Sequence, residues 1–507
     1  MSDVAAAPSA EKPSGLARIM ILSTATVATA LVSMALLVMS VVMPQMQGSL
    51  SATPDQIAWA VTLNIVASAV CTPPSGWLAN RFGRRNVLIW CTFGFTVATA
   101  LCGTAESLEM LVVFRVLQGA FGAPLNPLCN AAVLDAFPRE QHAMATAVFG
   151  MGVMIGPMLG PAVGGILAEL YDWRAGFFLM AGFSLLTLVG IWAFMRDDVR
   201  SPSSLDWTGF LSLSVAVICL QLVLDRGHRS DWFDAHNIIA MTAIGAGAMW
   251  VCVVHCSTAR RPFINPAMLR DRNYLIGMAC TLVFGCVSYS PMVLLPPMLH
   301  SVGGYPDNLI GWVLSSRGVG AFLGFFVSIG IGKFDPRIGM ALGFLFFAGS
   351  GLIMTLLDVN FQFWHLLVTS LMQGAAAGMV WVPMMVIAFG TLDRRWLNEA
   401  VALLHLFRYL GTSLFVSIGV TLILRGTNLG RSRLAESVSP YNEIFLFDRL
   451  TGLYGMNTLT DTAVLAREID RQALMLGYLH TFTIYTVMCL ATVLLVLLVR
   501  VPKKPRG

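Results

Sequence analysis

Apolar residues in this chain neither alternate nor recur on one helical face. They run in unbroken stretches of about twenty, the length an α-helix needs to cross the hydrocarbon core of a bilayer. Fourteen stretches are legible, at roughly residues 18–43, 57–79, 87–104, 108–132, 143–168, 175–195, 206–225, 237–256, 273–299, 308–332, 337–357, 363–390, 397–424 and 477–499. Short polar segments separate them, except for a longer outer loop at 425–476. The first stretch follows a polar tail (1–17), exceeds a signal-peptide core in length and precedes no cleavage pattern, so it is read as a helix. The pattern predicts an all-α membrane protein with fourteen transmembrane helices.

Composition agrees. Of 507 residues, 56% are hydrophobic and 12% are charged, and the mean hydropathy is +0.74. Soluble domains carry about 25% charged residues. Too few charges are present to cover a water-exposed surface, which excludes a cytosolic enzyme, a nucleic-acid binder and a disordered scaffold. The net charge of +5 matters less than its placement. Twenty of the 32 basic residues fall in tails and loops on one side, and only Arg174, Arg226 and Arg229 lie in the opposite short loops. The positive-inside rule puts both termini, including the basic tail 500–507, on the cytoplasmic side of a cell inner membrane. The ten cysteines lie in or beside apolar runs and read as small fillers. No metal-ligand spacing, nucleotide loop or nucleophile constellation occurs, so no enzyme activity, metal or cofactor is expected.

The chain repeats itself. Leu117-Gln118-Gly119-Ala120 in span 4 matches Met372-Gln373-Gly374-Ala375 in span 12, an offset of 255. The same offset carries Ala145 and Ala147 onto Ala400 and Ala402, and Gly156 onto Gly411. Residues 18–195 and 273–499 therefore read as parallel six-helix bundles, with spans 7–8 (206–256) as an inserted pair. Parallel repeats of this kind belong to alternating-access transporters, whose site lies between the halves.

Several motifs then fall into place. The stretch from Gly76 through Asn80, Arg81, Gly83, Arg84 and Arg85 resembles the loop signature of the major facilitator superfamily. Leu111–Gly119, with Arg115 and Gln118, is similar to its fourth-helix motif. The run Gly156-Pro157-Met-Leu-Gly160-Pro161-Ala-Val-Gly164-Gly165 resembles the fifth-helix signature of its antiporters. Leu224–Gly227 followed by Asp231-Trp232-Phe233 resembles the seventh-to-eighth connection of the fourteen-helix drug:proton antiporters of the EmrB/QacA type. The resemblance covers nearly the whole chain. It implies a proton-driven exporter of small lipophilic compounds; an importer or metabolite exchanger on the same fold is the alternative.

The residues supply physical reasons. Gly152, Gly156, Gly160 and Gly164 recur every four positions and form a groove that admits a neighbouring helix, while Pro157 and Pro161 each remove a backbone donor. The groove reads either as a packing seam or, by resemblance, as a leak-limiting element of export. The 80–85 loop reads as positive-inside topology or as a latch in which Arg81 pairs with Asp135. Three arginines stay inside spans: Arg115, Arg317 and Arg408. A mid-span arginine costs about 2.5–3.5 kcal/mol on insertion scales, so each must face a partner or a cavity. By resemblance Arg115 serves coupling; Gln118, Gln373 and Trp381 are further cavity candidates, and Arg317 reads first as structural.

The chain departs from the resemblance in one respect. The family commonly has an Asp in span 1, nine residues before a proline, and Ala35 stands there; Asn80 likewise replaces a usual Asp. No Asp or Glu lies centrally in any span; the nearest, Asp135, Asp206, Asp225 and Glu399, all stand at span ends, and His405, three residues before Arg408, is the deep titratable candidate. The expected cavity is positive and suits lipophilic anions or neutral compounds. Within the outer loop, the stretch from Thr462 reads as an amphipathic helix: a lid or, by resemblance, a dock for a periplasmic adaptor protein. Expected partners are thus a small-molecule substrate, protons, lipid and that adaptor.

Overall fold

The computed structural model describes residues 15–138, 141–195, 205–227, 232–259, 262–331, 335–392, 396–436, 438 and 459–499. Among the described residues it is helical, with no strand. The helices are α1 (Gly15–Ser49), α2 (Pro54–Cys71), α3 (Ser75–Phe82), α4 (Arg84–Gly103), α5 (Leu108–Gly122), α6 (Leu125–Ala136), α7 (His142–Leu170) and α8 (Trp173–Phe194). They continue as α9 (Trp207–Arg226), α10 (His236–Thr258), α11 (Arg272–Ser301), α12 (Asp307–Ile331), α13 (Pro336–Thr355), α14 (Phe363–Gly390), α15 (Leu397–Glu436) and α16 (Leu459–Leu497).

Among the described residues thirteen helices are long and apolar enough to cross a membrane, or fourteen if α2 and α3, bent by 52°, count as one span. That bend falls at Pro73-Pro74, and α5 gives way to α6 at Pro124, where the ring leaves no amide donor for the helix ladder. Caps set several starts. Thr53 and Gln56 form a reciprocal capping box on α2, and the Asp271 carboxylate accepts from the backbone of Asn273 and Tyr274 on α11.

Helices α1–α8 pack among themselves, as do α11–α16; α7 against α12 is the main joint between these groups. Helices α9 and α10 pair with each other, and α9 also touches α2 on one side and α15 on the other. The repeat read at offset 255 recurs in three dimensions. A Cβ on Gly156 in α7 would meet the Ala30 carbonyl of α1, and one on Gly411 in α15 would meet the Leu282 carbonyl of α11.

The expected outer loop is shorter than its apolar boundaries suggested. Helix α15 continues to Glu436 and α16 starts at Leu459, so the stretch from Thr462 is helical but continuous with the last span. The two extensions hold each other: Gly430 lies against Ala473, and Arg431 pairs with Asp470 at 2.9 Å. Arg471 ties this hairpin to the bundle through the carbonyls of Val302 (2.8 Å) and Val359 (3.0 Å). Hydropathy underestimates both helices because their ends carry charges suited to water.

Asp206 caps α9 and ties it to α10 and to the segment at Phe263. Its carboxylate accepts from the backbone of Gly209 (3.1 Å) and Phe263 (3.0 Å) and meets His255 Nε2 of α10 at 2.8 Å. Burial pushes the Asp206 carboxyl up, but these three donors outweigh it and hold its pKa below the ordinary 3.8. A lowered folded pKa gives stability that is complete above 3.8 and is lost as pH falls through the folded value. Asp206→Ala should destabilise the protein by about 1–3 kcal/mol, the cost of orphaned donors. Thermal unfolding in detergent should show a lower midpoint for the variant, by a constant amount from neutral pH to 3.8 and by a narrowing amount below it.

Candidate functional site

The glycine groove of α7 lies on α1. Added Cβ atoms would meet Thr26 at Gly152, the Ala30 carbonyl at Gly156, the Met34 carbonyl at 3.0 Å from Gly160 and Val38 at 2.5 Å from Gly164. Both helices step by four residues, so the seam runs along their axes with the backbones in contact. Apolar side chains gain nothing by leaving lipid for protein, and close approach with its dispersion energy replaces that drive. Pro157 and Pro161 lie inside α7 together with Gly165, and Pro157 also reaches a small crevice beside Tyr289 and Arg317.

The 76–85 segment is α3, the turn at Gly83 and the start of α4. Gly83 has φ +87°, a conformation that a side chain would strain, which lets α3 end and α4 begin at one residue. Asp135, at the end of α6, pairs with Arg84 at 2.7 Å; the expected pair had been with Arg81. Arg81 lies against the rings of Trp77 (5.5 Å) and Phe82 (5.7 Å), and Arg85 donates to the Trp192 carbonyl of α8 at 2.7 Å. Helix α3, which carries the buried Gly76 and the half-buried Asn80, contacts both α6 and α15, and so meets the other half of the molecule.

Arg115 is fully buried in α5. Its Nη1 donates to the Ala35 carbonyl (2.9 Å) and to Gln118 Oε1 (2.6 Å), and Gln118 Nε2 donates to Thr99 (2.8 Å). The backbone carbonyl of Ala35 thus receives the arginine at the position where the family resemblance implies a carboxylate. The second half repeats the arrangement with different sources. Arg317 of α12 donates to Gln373 (2.7 Å) and to the Ser288 carbonyl, and Gln373 Nε2 reaches Met354 Sδ at 3.4 Å. Gln118 and Thr99 map onto Gln373 and Met354 at offset 255, while the arginine moves from the fourth helix of one bundle to the second helix of the other.

Arg408 of α15 heads a third cluster. Nη1 donates to Tyr289 Oη at 2.9 Å, and Nη2 lies 3.4 Å from His405 Nδ1. Its guanidinium carbon sits 5.0 Å from the Tyr409 ring, 5.5 Å from Tyr289 and 5.6 Å from the buried Trp381, within cation–π range. Asn126 of α6 donates to Tyr409 Oη at 3.3 Å and joins the halves below this cluster.

Beside it, level with the C-terminal half of α1, a cavity of about 280 Å³ lies between α1, α2, α9, α11 and α15. Its walls are mainly apolar, with Leu37, Val61, Ile65 and Val416 among them. Of the residues expected to share one cavity, Arg408 lines it and Arg317 lines the separate small crevice; Arg115, Gln118, Gln373, His405 and Trp381 border neither. The expected positive cavity is corrected as well, because Asp225 of α9 lines it together with a single arginine, Arg408. Sequence reasoning left Asp225 aside as an end-of-span residue. The missed signal was Gln221, four residues earlier on the same face of an otherwise apolar helix.

Two helical groups with a cavity at their seam define a membrane transporter. The chain belongs to the Major Facilitator Superfamily, whose family model matches residues 25–416. It is 29% identical to the multidrug export protein EmrB of Haemophilus influenzae over 86% of this chain and 87% of that one. It is also 29% identical to the fatty acid resistance protein FarB of Neisseria gonorrhoeae, over 80% of each chain. Among solved structures, a bacterial homolog of the human lysosomal transporter Spinster, inward-facing and unoccupied, aligns with a TM-score of 0.56 at 15% identity, covering 97% of this chain and 100% of that one.

Gly156→Leu should leave the protein in the membrane fraction and abolish transport, because its side chain needs the space held by the Ala30 carbonyl. Immunoblotting of membranes alongside an efflux assay checks this; normal efflux would mean that the seam tolerates separation.

Proposed function

We propose that this protein is a proton-driven efflux transporter that exports small lipophilic compounds across the cell inner membrane by alternating access. The observation that carries the reading is the mainly apolar cavity walled by both halves, at the seam where rocking exposes it to either side in turn. The export and resistance names of the relatives support it. The proposed division is an N-terminal bundle at 18–195, an inserted pair at 206–256 and a C-terminal bundle at 273–499. Both termini are taken as cytoplasmic, from the distribution of basic residues.

On that orientation α3, α6 and α15 close the cytoplasmic side, and the cavity faces outward. The Gly76–Arg85 segment, with the Arg84–Asp135 pair, acts as the cytoplasmic gate. The Gly152–Gly165 seam keeps the first bundle rigid while it moves. Arg115 and Arg317, each clamped to a glutamine, hold the helices that flank the cavity. Arg408 forms the polar floor of the substrate site, with His405 behind it. A periplasmic adaptor would meet the α15–α16 hairpin, which stands on the outer side.

Cells expressing the protein should accumulate less of a panel of lipophilic compounds than cells lacking it, and a protonophore should abolish the difference. Equal accumulation in both cells, or a difference that survives the protonophore, would overturn the reading.

A further inference from the structure

We propose that the inserted helix α9 is the specificity wall of the cavity, and that Asp225, with Gln221 one turn before it, recognises the cationic head of a lipophilic substrate. This rests on the export reading above and names the substrate class of the same site. Asp225 and Arg408 are the charged residues lining the cavity, and their situations differ. The Arg408 guanidinium is engaged by the protein itself, through Tyr289, His405 and three aromatic faces. The Asp225 carboxylate has a looser environment. Its cationic neighbour, Arg226 Nε, is 3.7 Å away, and that guanidinium is drawn to the Trp59 ring of α2 at 3.5 Å. The negative charge therefore faces the cavity while its counter-charge faces α2.

Gln221 strengthens the case. It is 2% exposed and lines the cavity, and its Nε2 has no hydrogen-bond partner among the described residues. A buried amide left in this way is costly unless an occupant of the cavity completes it. Residues four apart share a helix face, so α9 presents an amide and a carboxylate side by side above apolar walls. The helix is also fixed to both halves: Arg226 stacks on α2, and Ser417 of α15 donates to the Leu224 carbonyl. Movement between the halves must change where Asp225 sits, so affinity for the cation changes with the transport cycle.

Tetraphenylphosphonium and tetraphenylborate have the same shape and opposite charge, and they test the assignment directly. Binding of each to the purified full-length protein in detergent should favour the cation. Asp225→Asn should weaken tetraphenylphosphonium roughly tenfold or more, the worth of one interaction with a charged group, and leave tetraphenylborate unchanged. Asp225→Glu should keep the preference. If the Asn variant fails to fold, the wild-type ratio decides: tighter binding of the borate overturns the assignment, as does an Asn variant whose ratio matches wild type. Either failure leaves the accumulation assay untouched, so a transporter of other compounds remains distinguishable from no exporter at all.

Discussion

A guanidinium inside a hydrocarbon slab has no water to turn to, and this constraint organises the molecule. Each of the three buried arginines is answered by protein atoms, and the answers fix neighbouring helices. Arg115 reaches α1 through a carbonyl, Arg317 reaches α11 and α14, and Arg408 reaches α11 while Tyr409 beside it meets α6. Breaking one of these contacts orphans a charge rather than merely loosening a pair, which makes each helix position hard to vary.

The glycine seams are the complement of these polar clamps. Where α7 lies on α1 and α15 on α11, backbone meets backbone, and these helix pairs leave no room for side chains between them. Fewer contacts join the first eight helices to the last six: α7 against α12, α3 against α15, and α9 between α2 and α15. The cavity borders the last of these, where α9 lies between α2 and α15.

Much of this was legible in the sequence, because lipid imposes simple rules. A run of about twenty apolar residues must span, and a mid-span arginine must have a partner. Fourteen spans, the repeat and the three arginines followed directly. Partner choice did not. Asp135 was assigned to Arg81 and pairs with Arg84, because the turn at Gly83 reorients the start of α4 in a way that linear spacing hides. Asp225 was set aside as an end-of-span residue, because depth along a helix says nothing about which helix borders a cavity. The extensions of α15 and α16 were read as loop because charge ends a hydropathy run without ending a helix.

Those extensions have a mechanical consequence. At 40 residues and 1.5 Å per residue, α15 is about 60 Å long, twice the hydrocarbon thickness. It is one unbroken rod running from the contacts with α3, past the cavity wall, to Glu436. A tilt of about 10° at the midplane would swing an end roughly 30 Å away by about 5 Å. The hairpin is thus a lever arm: a small rocking at the cavity, where direct observation is hardest, becomes a displacement at the surface large enough for a pair of spectroscopic labels to follow.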